Sequence, residues 1–322
     1  MNGKIRRKIV SGVITAALTL TAIAAASLVK TAELDSLRTG GEIKWAAMSD
    51  ALAVDISTYG TENHISWLDI LAYLGAKYGG NFSHYRKSDT DKFVKLLGSG
   101  ESTDSLSVKM KYFSYYREAY GAALCGFVGD FYRDGEKLYG LRAFSPIADG
   151  YYYQHYDDFG AARSFGYRRE HLGHDMMGQI GTPIIAVESG YVEAIGWNRY
   201  GGWRIGIRSF DNKRYYYYAH LRKDHPYADL SEGDIVTAGD VIGYLGMTGY
   251  SDKENVNNIN IPHLHFGLQL IFDASQKDGN GEIWIDVYEL TKFLYRNRMA
   301  GTKCDNGEYR PKSQIVIYDM PD

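Results

Sequence analysis

Short β-type runs cut off by glycine fill the chain after Gly140, and they restrict its fold more than any other feature. Gly190–Gly196, Trp203–Arg208 and Arg214–His220 each have the make-up of a strand. Asp211-Asn212, between the last two, predicts a tight turn. Gly233–Gly239 and Val241–Gly246 continue the pattern. Gly201-Gly202 and Gly246-Met-Thr-Gly249 predict turns or close backbone approaches. Together these runs specify a compact, mainly antiparallel β domain over residues 140–300.

The preceding part has a different texture. From Ile65 to Leu74 apolar groups fall near i, i+3, i+4 and i+7, the period of a helix that Gly79-Gly80 would end. A second helix is expected from Thr90 to Leu97, opened by Asp89 or Thr90 and closed by Gly98. A third, the most apolar, is expected over Tyr112–Phe131. Residues 41–134 thus form a helical region, a spacer or a docking surface for a protein partner. Asp286–Arg296 predicts a terminal helix, and residues 301–322 read as a polar, loose tail. The fold class is α+β.

The first 30 residues predict an export segment. Lys4, Arg6, Arg7 and Lys8 precede an uncharged, largely apolar run from Ile9 to Val29. That run has about the ~20 residues a helix needs to cross a bilayer. Its basic flank would stay cytoplasmic, so the expectation is a single-pass membrane anchor with the body extracellular. The alternative is a secreted protein, cleaved near Ala24-Ala25-Ala26. The net charge of −3 supplies no basic field for nucleic acid. Two cysteines, Cys125 and Cys304, form no C-x-x-C pair, and Cys125 in its apolar stretch reads as a buried free thiol. The 28 tyrosines suit strand surfaces and groove walls.

Five residues carry the chemistry: His171 and Asp175 in His-Leu-Gly-His-Asp, His220 in Tyr-Ala-His-Leu, and His263 and His265 in Pro-His-Leu-His-Phe. They supply three zinc ligands and two further imidazoles. A structural zinc is closed by four protein ligands and is rich in Cys, whereas a catalytic zinc takes three and keeps one position for water. His263 and His265, two apart on a strand, would enter one groove. His171 and Asp175 are four apart, with Gly173 freeing the backbone between them. Alternation along Tyr216, Tyr218 and His220 would give His220 a surface shared with two phenols. Two imidazoles beside a metal suit proton removal from water and stabilisation of an oxyanion.

From His171 to Leu268 the chain resembles the lysostaphin/LytM-type zinc endopeptidases of bacterial cell walls. The matching elements run in order: His171-Leu-Gly-His-Asp175, Gly181-Thr-Pro183, Gly190-Tyr-Val, Tyr200-Gly-Gly, Tyr218-Ala-His220-Leu, Gly233-Asp-Ile-Val, Ile242–Gly249 and Pro262-His-Leu-His-Phe266. The resemblance implies His171, Asp175 and His265 as ligands of Zn2+. It implies His220 and His263 as the catalytic pair, with the general base unassigned between them. It implies hydrolysis of peptide bonds in peptidoglycan stem peptides or cross-bridges. A catalytically silent wall-binding or assembly protein is the alternative. The polar insert Tyr250–Asn260 departs from the pattern and would lengthen one groove wall.

Other residues read as structural. His174 is turned away from its neighbours by parity, and His225 lies in a charged loop. Tyr167 and Tyr218 could line the groove, but packing is the preferred reading for both. The Gly233–Gly249 stretch lacks the lysine a biotinyl or lipoyl carrier needs at its hairpin tip.

Overall fold

The computed structural model of the protein describes residues 43–279 and 281–317, apart from the side chains of Tyr167 and Asp278. Five helices come first: Trp45–Thr58, Trp67–Tyr78, Lys87–Gly98, Thr103–Lys109 and Phe113–Leu124. The second is capped by Ser66, whose side chain accepts from the Leu68 N–H, and it ends at a left-handed Gly79, the stop its sequence predicts. The third begins three residues before Thr90, at Lys87, so that Asp89 and Thr90 are buried residues of its first turn and not its opening cap. A sixth helix, Tyr288–Leu294, occupies the middle of the span expected near the end of the β domain.

The helix expected from Tyr112 to Phe131 stops at Leu124. Val128–Arg133 is instead a strand, paired antiparallel with Glu136–Leu141. Asp134 and Gly135 both have positive φ, 52° and 86°, as an Asp-Gly hairpin turn requires. Ile315–Val316 pairs with the other edge of Val128–Arg133. The residues after Gly301 are therefore no loose tail as far as Ile317: Gly301–Lys303 and Tyr309–Pro311 form a hairpin, and Ile315 and Ile317 are buried. Ile315 and Ile317 join Phe131, Phe144 and Met299 in a second apolar cluster, and the Tyr309 N–H donates to the Tyr244 hydroxyl at 3.0 Å.

The main sheet is antiparallel. Its order is Ile235–Val236, Gly190–Asn198, Gly202–Ser209, Arg214–Ala219, His263–Leu270, His174–Met177 and Gln154–His155, with Ile283–Ile285 also paired to His263–Leu270. One face puts Ile205, Ile207, Tyr216, Tyr218, Leu264, Phe266 and Leu268 into the core. That core is continuous with Ile70, Leu71, Leu74 and Tyr120 of the helices and with Phe293. The opposite face lines a groove that carries the site.

The helical region is fastened to the sheet by polar contacts as well. Arg214 is buried and gives Nε and Nη2 to the Glu188 carboxylate at 2.7 and 2.9 Å, and Nη1 to the Ala122 carbonyl at 2.9 Å. The Trp45 N–H donates to Glu289 Oε2 at 2.8 Å, and Trp67 stacks on Phe293. Cys125 and Cys304 are free thiols, but Cys125 is exposed, because it caps a helix end at the surface rather than facing the core.

The expected single-pass anchor is corrected. Among the described residues no helix is long and apolar enough to cross a membrane. The longest has 14 residues, about 21 Å at 1.5 Å per residue, against a hydrocarbon core of about 30 Å. The Ile9–Val29 run on which the expectation rested lies outside the described residues.

Candidate metal centre

Strand pairing brings the two ligand motifs together. His263–Leu270 lies beside His174–Met177 with His265 directly opposite Asp175. His171 precedes that second strand and turns back over it. His171 Nε2, Asp175 Oδ1 and His265 Nδ1 converge, at separations of 3.0 Å (His171–Asp175), 2.9 Å (His171–His265) and 3.0 Å (His265–Asp175). Nitrogen and oxygen ligands about 2.0–2.1 Å from a tetrahedral zinc would stand about 3.3 Å apart. The three atoms therefore fit a zinc ion after a small outward movement, and all three residues line the groove. All three residues are largely buried, which suits a centre that must hold its ligands rigidly.

His220 and His263 stand beside this triplet. Their ring centroids are 4.7 Å apart, and His220 is 5.9 Å from His265. His220 Nδ1 donates to the Thr248 carbonyl at 2.8 Å, and His263 Nδ1 to the Ile261 carbonyl at 2.8 Å. A carbonyl only accepts, so each Nδ1 carries the proton and each neutral ring keeps Nε2 as its acceptor. His263 Nε2 is 3.6 Å from Asp175 Oδ1.

The expected surface shared by Tyr216, Tyr218 and His220 does not form. Tyr216 and Tyr218 are fully buried in the core: Tyr216 donates to Glu188 Oε2, and the Tyr218 hydroxyl accepts from the Val187 N–H. The Arg214–Ala219 strand ends before His220, whose φ is 60°. This left-handed residue breaks the alternation and carries the imidazole into the groove with Tyr217, the phenol of the opposite parity. His174 points away, as parity predicts: it is buried and its Nε2 is 2.9 Å from His155 Nδ1. His225 is half-exposed beside Glu308.

Sequence reasoning missed the residues that orient the ligands. The His171 Nδ1–H donates to the Asp158 carbonyl at 3.1 Å, with Asp158 Oδ2 at 3.2 Å. Arg163 Nη2 joins Asp158 Oδ2, at 2.5 Å, to Asp175 Oδ2, at 3.2 Å. Asp158 and Arg163 precede the motif in an irregular polar stretch with no period to mark them. Two glycines make room for the rings. A Cβ at Gly173 would lie 2.6 Å from His265 Cε1 and Nε2. Gly249 has φ +123°, and a Cβ there would lie 2.5 Å from the Tyr200 carbonyl and 2.9 Å from His220 Nδ1. The Gly246–Gly249 turn is thus a close approach of the kind its sequence suggests.

Burial and hydrogen bonding pull the titrating groups apart. Burial alone would lower His171, but its hydrogen bonds to Asp158 and Asp175 hold it up at about 9. Burial would raise Asp175, yet His171 and His265 hold it far below the usual carboxylate range. Burial pushes His220 and His265 down, and His174 to about 4.

The centre opens into a groove of about 500 Å³ that reaches along the sheet to Arg208 and Trp284. Tyr250, the first residue of the polar insert, lines it and accepts from Arg169 Nη2 at 2.8 Å.

The model of peptidase family M23 matches residues 169–278, the segment that holds all five residues. The chain is 38% identical over 176 residues to the L-Ala--D-Glu endopeptidase of Bacillus subtilis, covering 54% of this chain and 51% of that protein. It is 40% identical over 97 residues to lysostaphin of Staphylococcus simulans, 30% of this chain and 17% of that one. The chain thus spans about half the length of the first relative and less of the second. A LytM crystal structure from Ruminococcus gnavus superposes with a TM-score of 0.54 at 21% identity, covering 83% of this chain and 96% of that one, and shows the shared fold.

Proposed function

The chain belongs to peptidase family M23 through residues 169–278, and from that premise we propose that it is a zinc endopeptidase cutting peptide bonds in peptidoglycan stem peptides or cross-bridges. One observation carries the reading: three candidate ligand atoms converge within about 3 Å of one another, and two imidazoles, each held through Nδ1 by a backbone carbonyl, stand beside them. Relatives named as an L-Ala--D-Glu endopeptidase and as lysostaphin support the substrate class.

His171, Asp175 and His265 hold the zinc in this reading. The ion would polarise the scissile carbonyl and acidify water. The substrate lies in the groove along the sheet face. One of His220 and His263 takes the proton of the attacking water at Nε2 and returns it to the leaving amine. The other acts as an imidazolium that has taken its extra proton from solvent before the attack, and donates from Nε2 to the oxyanion. Their Nδ1–H bonds to Thr248 and Ile261 hold both rings in orientation and leave Nε2 as the atom that accepts or carries the working proton. Arg163 and Asp158 fix the orientation of Asp175 and His171. The helical region, packed into the same core, buttresses the sheet.

The zinc-loaded full chain is expected to release new amino groups from purified cell walls. Release from none of several wall chemistries, with zinc bound, overturns the proposal. Wall binding without release is the outcome a silent assembly protein would give.

A further inference from the structure

The groove beyond the metal ligands is furnished with unpaired cationic and N–H donors. Strand register puts them on one face. Gly206 pairs with Tyr217, which pairs with Gly267; Arg208 pairs with Tyr215, which pairs with Gln269, which pairs with Trp284. Arg204, two residues before Gly206, shares that face by alternation, as His265 does two residues before Gly267. Arg204, Arg208 and Trp284 all line the groove.

Each has donors to spare. Arg204 is half-buried, and among the described residues it has no carboxylate partner. Arg208 is 1% exposed; Glu193 takes its Nε and Nη2 at 2.5 and 2.9 Å, but its buried Nη1 has no acceptor. Trp284 Nε1 is also buried without an acceptor. A buried donor without an acceptor is costly, the more so when it is charged. Glu193 is already shared between Arg208 and Lys277. Glu282 adjoins Ile283, which pairs with Leu270. That point is five residues along the strand from His265, about 17 Å at 3.4 Å per residue, and so at the far end from Arg204.

We propose that this part of the groove is a carboxylate subsite, which makes the substrate an acidic peptide rather than an uncharged, glycine-rich one. Arg204 receives a free carboxylate of the peptide, and Arg208 Nη1 and Trp284 Nε1 receive further oxygens of the same chain. Two strand spacings of about 4.8 Å separate the strand of Arg204 from that of His265. The recognised carboxylate therefore lies about three extended residues or fewer from the scissile carbonyl. The inference rests on the proposed peptidase reading for the position of the cut, not for the binding itself.

The test uses two synthetic peptides of a stem-peptide sequence, identical but for one free carboxylate replaced by its carboxamide. Binding of each to the zinc-loaded full chain is measured by fluorescence anisotropy, and hydrolysis in parallel. The acid is expected to bind at least tenfold more tightly than the amide, with the difference appearing in KM rather than kcat. In Arg204→Met that preference is expected to collapse to within twofold, while Arg204→Lys retains part of it. Equal binding of acid and amide by the unmodified protein overturns the subsite, as does a preference that survives Arg204→Met. Preferential binding of the acid with no hydrolysis of either peptide sustains the subsite and strikes instead at the peptidase reading.

Discussion

His220 and His263 face each other at 4.7 Å between ring centroids, each fixed through Nδ1 to a backbone carbonyl. Each neutral ring thereby keeps Nε2 as its acceptor beside His171, Asp175 and His265, the proposed zinc ligands. His265→Ala is expected to abolish zinc retention and activity together. His263→Ala should keep most of the zinc and lose about 10²-fold or more in kcat, the scale of a general acid–base or oxyanion contribution. Metal analysis of the purified variants beside turnover assays checks the split, and zinc loss in His263→Ala alone would invert the assignment.

Zinc uptake should release a proton near neutral pH. In the metal-free protein His171 is held at about 9, so it is protonated at pH 7, whereas a zinc ligand must be neutral. Apparent zinc affinity is expected to rise up to about tenfold per pH unit as pH climbs towards that value. Calorimetric titration in buffers of different ionisation enthalpy measures the proton count. A count of zero at pH 7 contradicts the expectation.

Acid should destabilise the metal-free fold through its buried histidines. His155, His174, His220 and His265 are all lowered by burial. A base with a depressed folded pKa favours the native state above its unfolded pKa, near 6.5, and that contribution is lost as pH falls towards the folded value, about 4 for His174. His174 alone accounts for on the order of 3 kcal/mol across that window. His171, raised, works in the opposite sense: its contribution is full below 6.5 and fades towards about 9. Urea melts in chelator at pH 7 and pH 5 should show the net loss.

Gly173→Ala should weaken zinc binding without unfolding the protein. The added methyl would meet the His265 ring at 2.6 Å and push a proposed ligand from its place. A loss of about 10–100-fold in metal affinity is expected, as for other displaced supporting contacts, and competition with a chromogenic chelator measures it.

The Arg214–Glu188 clamp should matter to stability in an asymmetric way. Arg214→Met leaves the buried Glu188 carboxylate with the Tyr216 hydroxyl but no cation and is expected to cost about 3–5 kcal/mol. Adding Glu188→Leu should recover much of that loss. Denaturant titration of the single and double variants decides it.

The sheet was legible because its strands alternate and end at glycine, and the ligands because His-x-His and His-x-x-x-Asp keep chemistry and spacing together. What escaped had no such period. Phe127–Phe131 is as apolar as the helix before it, and only Asp134-Gly135 marks it as half of a hairpin. Asp158 and Arg163 act on the centre across 13 and 12 residues of irregular chain, where composition carries no mark of contact. The partnership of His220 with Tyr217 rather than Tyr218 turns on one backbone angle, which strand parity cannot foresee.

That angle also sets what selection for sturdiness alone would do. A side chain held at φ 60° carries backbone strain that glycine, and to a lesser degree asparagine, would relieve. A screen that ranks variants by melting temperature and ignores turnover would therefore favour replacing His220. Robustness and reactivity are in opposition at this one position, and a thermostable descendant of the protein would have to find its gains elsewhere.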